Sequence, residues 1–481
     1  MVGKKRISKE LIIVAAIIIA AIFVRFYEID KLLPFTFDQA EYYFYVKQIV
    51  GGKPILIGPR TGIEGFYLGP AYFYVLVPFY LAFGGHPIGG AVLDGIFGVL
   101  AVLGIYFLAK EMFGKRVGIL ALLISCFSPL LVSYSRYSWN PHPLVLLSVF
   151  FYHSLWKVLK GEERYFILAF FWFSLGLQME VASAIFYLPT ALIIFVLMKY
   201  KIKRIKYVLL GFLVMMVSFL PQIIFNLRHD FITIKAVFRF IGEKGQGSFF
   251  VLERFKEYGQ VIEGVLVSGG MYLSLFIFLG GIIYLFREGS KKRAEVVIIL
   301  SWLTVNFLLL FLFKDKAWDH HYISLFAGII IGAGFFISKS MEDKKTKGLG
   351  IILVGMIVFS GVSSRFIGSD RERDFVVFED QLKAIDYIYK DADGEDFNVY
   401  IYVPSVYDHP YQYIFSWYGE DKYGYLPRVE EEKELVYFIV EPDIQLPDRQ
   451  LQWKLSHRVE GEEVANKEFG GGLVVEKRRR K

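Results

Sequence analysis

Long apolar segments separated by basic loops constrain the fold of this 481-residue chain more than any other feature. A helix needs about 20 mostly apolar residues to cross a bilayer, and such segments recur from the N-terminus to residue 366. Soluble domains do not combine so many of them. We therefore predict an α-helical polytopic membrane protein. About eleven spans are predicted, at residues 10–27, 87–109, 117–134, 143–159, 165–181, 183–198, 207–225, 271–286, 295–313, 322–338 and 348–366.

The basic loops predict the orientation of these spans. Loops rich in Lys and Arg stay on the cytoplasmic side of a membrane, and all of them share the side of the N-terminal KKR if residues 66–84 do not span. We therefore expect 66–84 to form a juxtamembrane or re-entrant helix at the outer surface. The N-terminus is then cytoplasmic, in the cytoplasmic membrane, and its apolar run is interpreted as an uncleaved signal anchor. The basic loops are 110–116, 160–164, 199–206, 287–293 and 339–347.

Charge and cysteine content exclude several classes of protein. The net charge of +7, from 54 basic and 47 acidic residues, is carried by these loops, which indicates a lipid bilayer rather than nucleic acid as the partner. The single cysteine, Cys126, lies inside an apolar segment. A disulfide framework and a cysteine-based metal site are therefore excluded.

The composition changes after residue 366, where charges become dense and apolar residues alternate. We predict a transmembrane domain at 1–366 and a small extracytoplasmic α/β domain at 367–481. Helical spacing of apolar residues over 374–390 places Phe378, Leu382, Ile385 and Ile388 on one side. Strands are predicted at 398–403, 434–440 and 471–477.

The first external loop, residues 28–86, contains two acidic residues among aromatic ones. A helix over 38–50 places Asp38, Glu41 and Tyr42 on one side by i, i+3 and i+4 spacing. The Thr-x-x-Gln pattern before it is typical of a capping box, and Asp38 is itself a suitable cap. Spacing alone favours capping over catalysis, and the two roles are compatible.

Other polar residues end apolar segments on the same predicted outer face. Arg and Lys at helix ends commonly extend to lipid headgroups, and Glu180 is equally suited to pairing with an arginine. Taken together, a carboxylate with several cations suits a substrate with a phosphate head and a lipid tail. These residues are Arg60, Glu64, Arg136, Asn140, His142, Gln178, Glu180, Arg228, Lys314, Lys316, His320 and His321.

No cofactor is predicted with certainty. His320 and His321 are adjacent, so their side chains point apart on a helix, and the pattern supplies no third ligand for a divalent metal. Asp94 is the main charged residue inside a predicted span. We expect it to pair with an arginine of the first external loop or to take part in the site.

Six segments resemble the GT-C membrane glycosyltransferases, and within them the protein mannosyltransferase and aminoarabinose transferase group. The resemblance covers roughly residues 1–340. Members of this family have juxtamembrane helices in the first external loop, as the loop charges predict for residues 66–84 of this chain. The segments are FDQAEYYFYVKQIVGGKP, LGPAYFYVLVPFYLAFGG, FLAKEMFGKRVGILALLISCFSP, YSRYSWNPHPLVLL, GLQMEVASAIFYLP and DHHYISLFAGIIIGAG.

This resemblance implies transfer of a sugar from a polyprenyl-phosphate donor to an extracytoplasmic acceptor, with inversion and Asp38 as the base. The commoner family pattern is Asp-Glu, whereas this chain has Asp38-Gln39 and then Glu41, so Glu41 is the candidate second carboxylate. The expected lipid-phosphate ligands are Arg60, Arg136, Arg228, His320 and His321. The expected substrate-binding residues are Tyr42, Glu64, Asn140, His142, Gln178 and Glu180.

Two other functions compete with this hypothesis. A transporter or flippase of lipid-linked sugars is expected to show broken helices at the bilayer midplane and two related halves, and the sequence shows neither. A non-catalytic membrane scaffold with a glycan-binding external domain is the third possibility.

Overall fold

The computed structural model describes residues 8–242, 251–311, 317–366, 373, 375–405, 407–457 and 461–480. The helices of the apolar part are α1 Lys9–Phe26, α2 Phe37–Val50, α3 Ala71–Ala82, α4 Ile88–Phe113, α5 Lys115–Phe127, α6 Pro129–Tyr134, α7 Leu144–Leu159, α8 Tyr165–Met179, α9 Val181–Ala184, α10 Tyr187–Leu197, α11 Ile205–Ser218, α12 Leu220–Arg228, α13 Ile232–Gly242, α14 Val251–Leu266, α15 Met271–Glu288, α16 Arg293–Leu310, the 3-10 helix Asp319–Leu325, α17 Phe326–Glu342 and α18 Lys347–Phe366. The C-terminal part contains α19 Phe378–Ala392, β1 Phe397–Tyr402, α20 His409–Ile414, the π-helix Phe415–Gly419, α21 Glu420–Tyr423, β2 Leu435–Val440, α22 Pro447–Ser456, β3 Gly461–Glu468, the 3-10 turn Gly470–Gly472 and β4 Val474–Arg480.

Several of these helices are long and apolar enough to cross a membrane. Among the described residues there are five, namely α4, α15, α16, the combined helix Asp319–Glu342, and α18. A sixth is the pair α11 and α12, which bends by 56° at a break just before Pro221 in the first turn of α12. The helices α3, α7, α8 and the segment Val181–Leu197 are apolar but shorter. The chain is thus a membrane-embedded multi-pass protein, and the count of about eleven spans stays a prediction.

The helix α3 lies in the segment expected not to cross the membrane. It has 12 residues, which extend about 18 Å at 1.5 Å per residue, whereas the hydrocarbon core is about 30 Å thick. It lies in the last part of the predicted first external loop and packs against α2 and α4. Its length is consistent with the expected juxtamembrane helix.

The centre of the bundle is the combined helix Asp319–Glu342, whose apolar window is 100% buried. Small residues allow close approach of its backbone to its neighbours, as is typical of membrane helix packing. A Cβ added at Gly281 of α15 would lie 2.8 Å from the Gly332 carbonyl oxygen, and one at Gly334 would lie 3.2 Å from the Ala121 nitrogen of α5.

The C-terminal part forms a four-stranded sheet in the order β1-β2-β4-β3. The strands β1 and β2 are parallel, and β4 pairs antiparallel with both β2 and β3. Three strands and α19 confirm the sequence prediction within a few residues. The strand β3 was not predicted, because GEEVANKE has few apolar residues to alternate. The division of the chain at residue 366 stays a prediction, and residues 367–372 lie outside the described ranges.

This C-terminal part packs on the first external loop. The Phe378 backbone N–H donates to the Leu33 carbonyl oxygen at 2.9 Å. The Phe37 ring, in the first turn of α2, lies 4.9 Å from the Tyr407 ring and 5.1 Å from the His409 ring, centroid to centroid. The sheet-bearing part of the chain therefore contacts the helix that carries Asp38.

The turn between α3 and α4 provides a test of this packing. The Tyr413 hydroxyl donates to the Gly85 carbonyl oxygen at 2.7 Å, and the Trp417 indole donates to that of Gly84 at 2.7 Å. Both glycines have positive φ, but a Cβ at Gly85 would lie 2.9 Å from the Trp417 ring, whereas one at Gly84 meets nothing within 4 Å.

We therefore expect Gly85→Ala to loosen the C-terminal part more than Gly84→Ala does. Both variants carry backbone strain of about 1–2 kcal/mol, and Gly85→Ala adds the overlap with Trp417. Hydrogen exchange of α2 and α20 in the purified protein measures the difference. Equal exchange in the two variants would show that the Trp417 contact does not secure this packing.

Candidate functional site

The start of α2 is fixed by the predicted capping box. Thr36 is the N-cap, and the Gln39 side-chain oxygen accepts from the Thr36 backbone N–H at 2.8 Å and from its hydroxyl at 2.6 Å. The Gln39 amide donates in turn to the Ser138 carbonyl oxygen at 2.8 Å. Gln39 thus ties α2 to residues 135–143, the second of the predicted external loops, and Asp38 is left in the first helical turn, where the helix dipole favours a negative charge.

The two predicted carboxylates lie one turn apart on α2. Burial raises the pKa of Asp38, and a hydrogen bond from the Trp139 side chain opposes this rise. The pKa of Glu41 is raised by burial first and by the Asp38 charge second, while Arg60 opposes both. Asp38, Glu41 and Arg60 therefore form one electrostatic group, in which the Trp139 side chain interacts with Asp38.

Behind this group lies Asp94, which sequence reasoning placed near the site without its partners. Its Oδ2 accepts from the Trp139 backbone N–H at 2.7 Å and the Tyr72 hydroxyl at 2.9 Å, and lies 3.2 Å from His142 Nδ1. The expected arginine partner is wrong, because these three groups surround Asp94 instead. His142 is buried, and its ring lies 4.6 Å from that of Tyr137.

The predicted residue Asn140 connects three elements. The Tyr42 hydroxyl donates to the Asn140 side-chain oxygen, and the Asn140 amide donates to the Met179 carbonyl oxygen at the end of α8. The Tyr42 and Asn140 side chains are both buried. They therefore fix α2 against the second external loop and the end of α8.

Gln178 and Glu180 occupy the break between α8 and α9. The Gln178 amide donates to the Ser218 carbonyl oxygen at 3.0 Å, and its side chain fills the space beside Gly69. Glu180 is the N-cap of α9 and accepts from the Ala182 backbone N–H at 2.8 Å. In the structure both side chains secure helix ends.

The two histidines lie beside Trp139. The His320 ring is 4.8 Å from that of Trp139 and 4.3 Å from that of His321, centroid to centroid. Within the described ranges, no group of three or more His, Cys, Asp or Glu side chains is arranged to hold a metal ion.

Arg136 lies at the C-terminal end of α1. Its guanidinium donates to four backbone carbonyls that end this helix, and Arg365 donates to the carbonyl oxygen of Tyr27 at 2.5 Å. Burial first, and the Arg365 charge second, lower the pKa of Arg136 to about 10. The carbonyls that accept from Arg136 belong to Val24 at 3.4 Å, Arg25 at 2.6 Å, Tyr27 at 3.0 Å and Glu28 at 3.0 Å.

The remaining predicted residues are exposed or lie outside the described residues. Arg228 is exposed at the end of α12. Glu64 is exposed in the turn of a hairpin, and its backbone carbonyl accepts from Arg239 at 2.5 Å. Lys314 and Lys316 lie outside the described residues.

Two neighbouring cavities are lined by residues of α6 and α14. One, of about 570 Å³, is lined by Leu32, Pro129, Leu130, Val132, Ser133, Arg136, Gly264, Ser268, Ser364, Arg365 and Phe375. The other, of about 500 Å³, shares Leu130 and Gly264 with it and reaches Trp318 and Asp319. Arg365 was missed by sequence reasoning because it ends a predicted span, a position typical of a headgroup contact.

Comparison with known proteins identifies the architecture. Residues 68–225 match the family described as dolichyl-phosphate-mannose-protein mannosyltransferase. The structure resembles ArnT from Cupriavidus metallidurans bound to undecaprenyl phosphate, with a TM-score of 0.62, 11% identity and 97% of each chain covered. It also resembles the apo oligosaccharyltransferase from Archaeoglobus fulgidus, with a TM-score of 0.55 and 14% identity over 85% of this chain and 64% of that chain. The fold is therefore that of ArnT and of the archaeal oligosaccharyltransferase, both GT-C membrane glycosyltransferases.

The oligosaccharyltransferase AglB from Archaeoglobus fulgidus, in complex with an inhibitory peptide and a dolichol-phosphate, shares this GT-C fold. Its TM-score is 0.53 at 13% identity, over 84% of this chain and 63% of that chain. No curated protein matches the chain in sequence.

Proposed function

We propose that this chain is a membrane glycosyltransferase that moves a sugar from a polyprenyl-phosphate donor to an extracytoplasmic lipid, glycan or protein, with inversion. The observation that carries the proposal is the Asp38–Glu41 pair, partly buried at the start of α2 under Trp139 with Arg60 beside it. The GT-C fold and the family match over residues 68–225 support it. The acceptor, the sugar and the prenyl chain are left open.

Asp38 is proposed as the base. The acceptor hydroxyl oxygen forms a bond to the anomeric carbon, the bond from that carbon to the phosphate oxygen breaks, and the lipid phosphate leaves. The hydroxyl proton passes to Asp38, which must be ionised to accept it. A pKa raised by burial brings a carboxylate closer to the strength that proton transfer near neutral pH requires. Glu41 adds negative charge beside it.

The cavity lined by Arg136 and Arg365 is proposed to receive the donor phosphate. A guanidinium has five N–H donors, and the carbonyls of α1 occupy only some of those on each arginine. An anion would also offset the repulsion between the two cations. The cavity's Leu and Val side chains suit isoprene units. Arg60, whose charge acts on Glu41, is proposed as a further cation for the donor phosphate.

The proposed orientation follows the basic loops. The N-terminus faces the cytoplasm, and the first external loop, the carboxylates and the C-terminal part face outward in the cytoplasmic membrane. Because the C-terminal part contacts Phe37, it is placed to present an acceptor to Asp38. The buried side chains of Tyr42, Asn140 and His142 are proposed to form the wall behind the sugar.

The test measures polyprenyl phosphate released from labelled polyprenyl-phosphate sugars by membranes of the native cells. Membranes containing the chain are expected to release it from one of the labelled sugars, and membranes lacking the chain are not. The bent pair of α11 and α12 favours the alternative of a flippase. Movement of the intact lipid-linked sugar across the membrane without release would establish that alternative and exclude the transferase.

A further inference from the structure

Asp94 is a buried carboxylate that the proposed chemistry does not use. It lies in the candidate span α4 with 1% of its surface exposed. A charge there is costly unless its bonds compensate. Its Oδ2 takes three bonds, and its Oδ1 is buried without a hydrogen-bond partner. Stability alone therefore does not account for a carboxylate at this position.

The three groups around Oδ2 come from two separate parts of the chain. Tyr72 belongs to α3, at the end of the first external loop, whereas Trp139 and His142 belong to the second external loop. The His142 Nδ1 also lies 3.0 Å from the Tyr137 carbonyl oxygen. Because both neighbours of Nδ1 are acceptors, we assign the ring proton to Nδ1. All three groups thus donate to Asp94.

The second external loop is held closely against α4 at the same place. A Cβ at Gly90, one turn before Asp94, would lie 2.6 Å from the Ser138 side chain. The Ser138 hydroxyl lies 2.8 Å from that of Tyr72, and the Ser138 carbonyl accepts from Gln39. The backbone of residues 138 and 139 is therefore fixed between α2 and α4.

We propose that Asp94 is a positioning residue that holds Trp139 and His142 so that the Trp139 indole stays on the Asp38 carboxylate. The inference rests on the proposed role of Asp38 as the base. Asp94 does not touch the substrate. It acts through the backbone of Trp139, a residue whose side chain interacts with Asp38 and whose ring lies 4.8 Å from that of His320.

A direct test uses ¹⁹F NMR of the full-length protein labelled with 5-fluorotryptophan in detergent. The Trp139 line is assigned by its absence in Trp139→Phe. In the wild type this line is expected to shift with pH as Asp38 ionises, and not to do so in Asp38→Asn. Glu41 and Tyr42 on α2, Tyr137 in the second loop and His320 also face this region, so the Asp38→Asn spectrum identifies the group that titrates.

In Asp94→Asn the Trp139 line is expected to move or broaden and to lose its response to Asp38. Glu111→Gln, an acid-to-amide change on the same helix at an exposed position, is the matched control and should leave the line unchanged. An unchanged line in Asp94→Asn would overturn the proposal. If that variant does not fold, Tyr72→Phe removes one donor to Asp94 and keeps the ring, and an unchanged line there would equally overturn it.

Activity separates this inference from the proposed function. If Asp94 positions a base, polyprenyl phosphate release should fall about 10²-fold in Asp94→Asn, since displacement by about 1 Å has effects of that size, with the loss in kcat rather than KM. If the wild type shows the ¹⁹F response but no release, and Asp94→Asn loses that response, the positioning role is upheld and the transferase is rejected. Full release in Asp94→Asn together with a lost ¹⁹F response would show that catalysis does not need Trp139 to be held on Asp38.

Discussion

Replacing Asp38 with Asn is expected to reduce polyprenyl phosphate release by about 10²–10⁴-fold, the usual contribution of a general base. Asn keeps the size of the side chain and still accepts the hydrogen bond from Trp139, but it cannot take a proton from the acceptor. The measurement is release from the labelled donor, at equal protein level. Asp30→Asn, at an exposed carboxylate of the same external loop, is the matched control.

The same substitution should not lower stability. Burial raises the pKa of Asp38 in the folded chain, so the folded state favours the protonated acid. The stability that this group contributes is present below its unfolded-state pKa and is lost as the pH rises through the folded-state pKa. At neutral pH the ionised carboxylate therefore costs stability, and Asn removes that cost. We expect the Tm of Asp38→Asn to equal or exceed that of the wild type.

The pH dependence of release follows from the same raised pKa but has the opposite sign. Release should rise with pH as Asp38 ionises, with its acid limb above the range of an ordinary aspartate, because burial raises the pKa. Glu41→Gln removes a neighbouring negative charge, so it should shift this limb to lower pH. Unchanged release in Asp38→Asn would remove Asp38 as the base, whatever the position of the limb.

Local features of the site could be predicted from the sequence. The Thr36–Gln39 capping box depends on residues three positions apart, and it places Asp38 and Glu41 on one helix with the geometry that the spacing implies. The strands β1, β2 and β4 have the alternation expected of strands. Basic loops predicted that residues 66–84 do not span, and the 12-residue length of α3 is consistent with this prediction. Each of these depends on short-range spacing or on charge alone.

Other features depend on contacts between distant parts of the chain. Arg365 bonds a carbonyl 338 residues earlier, and no local pattern indicates this pairing. Asp94 acquires its partners only when the second external loop folds over α4. Helix breaks also limit the prediction of spans, because a hydropathy window continues through the bend between α11 and α12.

Among the predicted cations, Arg136 is the residue whose substitution best separates an effect on stability from an effect on catalysis. Arg136→Gln is expected to lower the Tm strongly, because carbonyls at the end of α1 lose their donors. Each buried group left unpaired costs about 1–3 kcal/mol, and one glutamine amide cannot replace the forked guanidinium. Arg136→Lys should recover only part of the loss, since an ammonium is a point donor rather than a fork.

Arg60→Gln should show the opposite pattern. Arg60 is exposed, and it acts on Glu41 through its charge, so the Tm should stay unchanged while release falls. The measurements are the Tm in detergent and the kcat and KM for the labelled donor. If Arg60 offsets charge on the departing phosphate, kcat should fall more than KM rises.

Arg136→Gln and Arg60→Gln together decide which cation binds the donor phosphate. A stable Arg136→Gln with lost release would show that Arg136 mainly binds the donor and that the bonds to α1 contribute little. A large fall in Tm with full release in the remaining folded protein would assign Arg136 to α1 alone. The donor phosphate would then depend on Arg365 and Arg60, and Arg365→Gln should lower kcat for the labelled donor more than Arg136→Gln does.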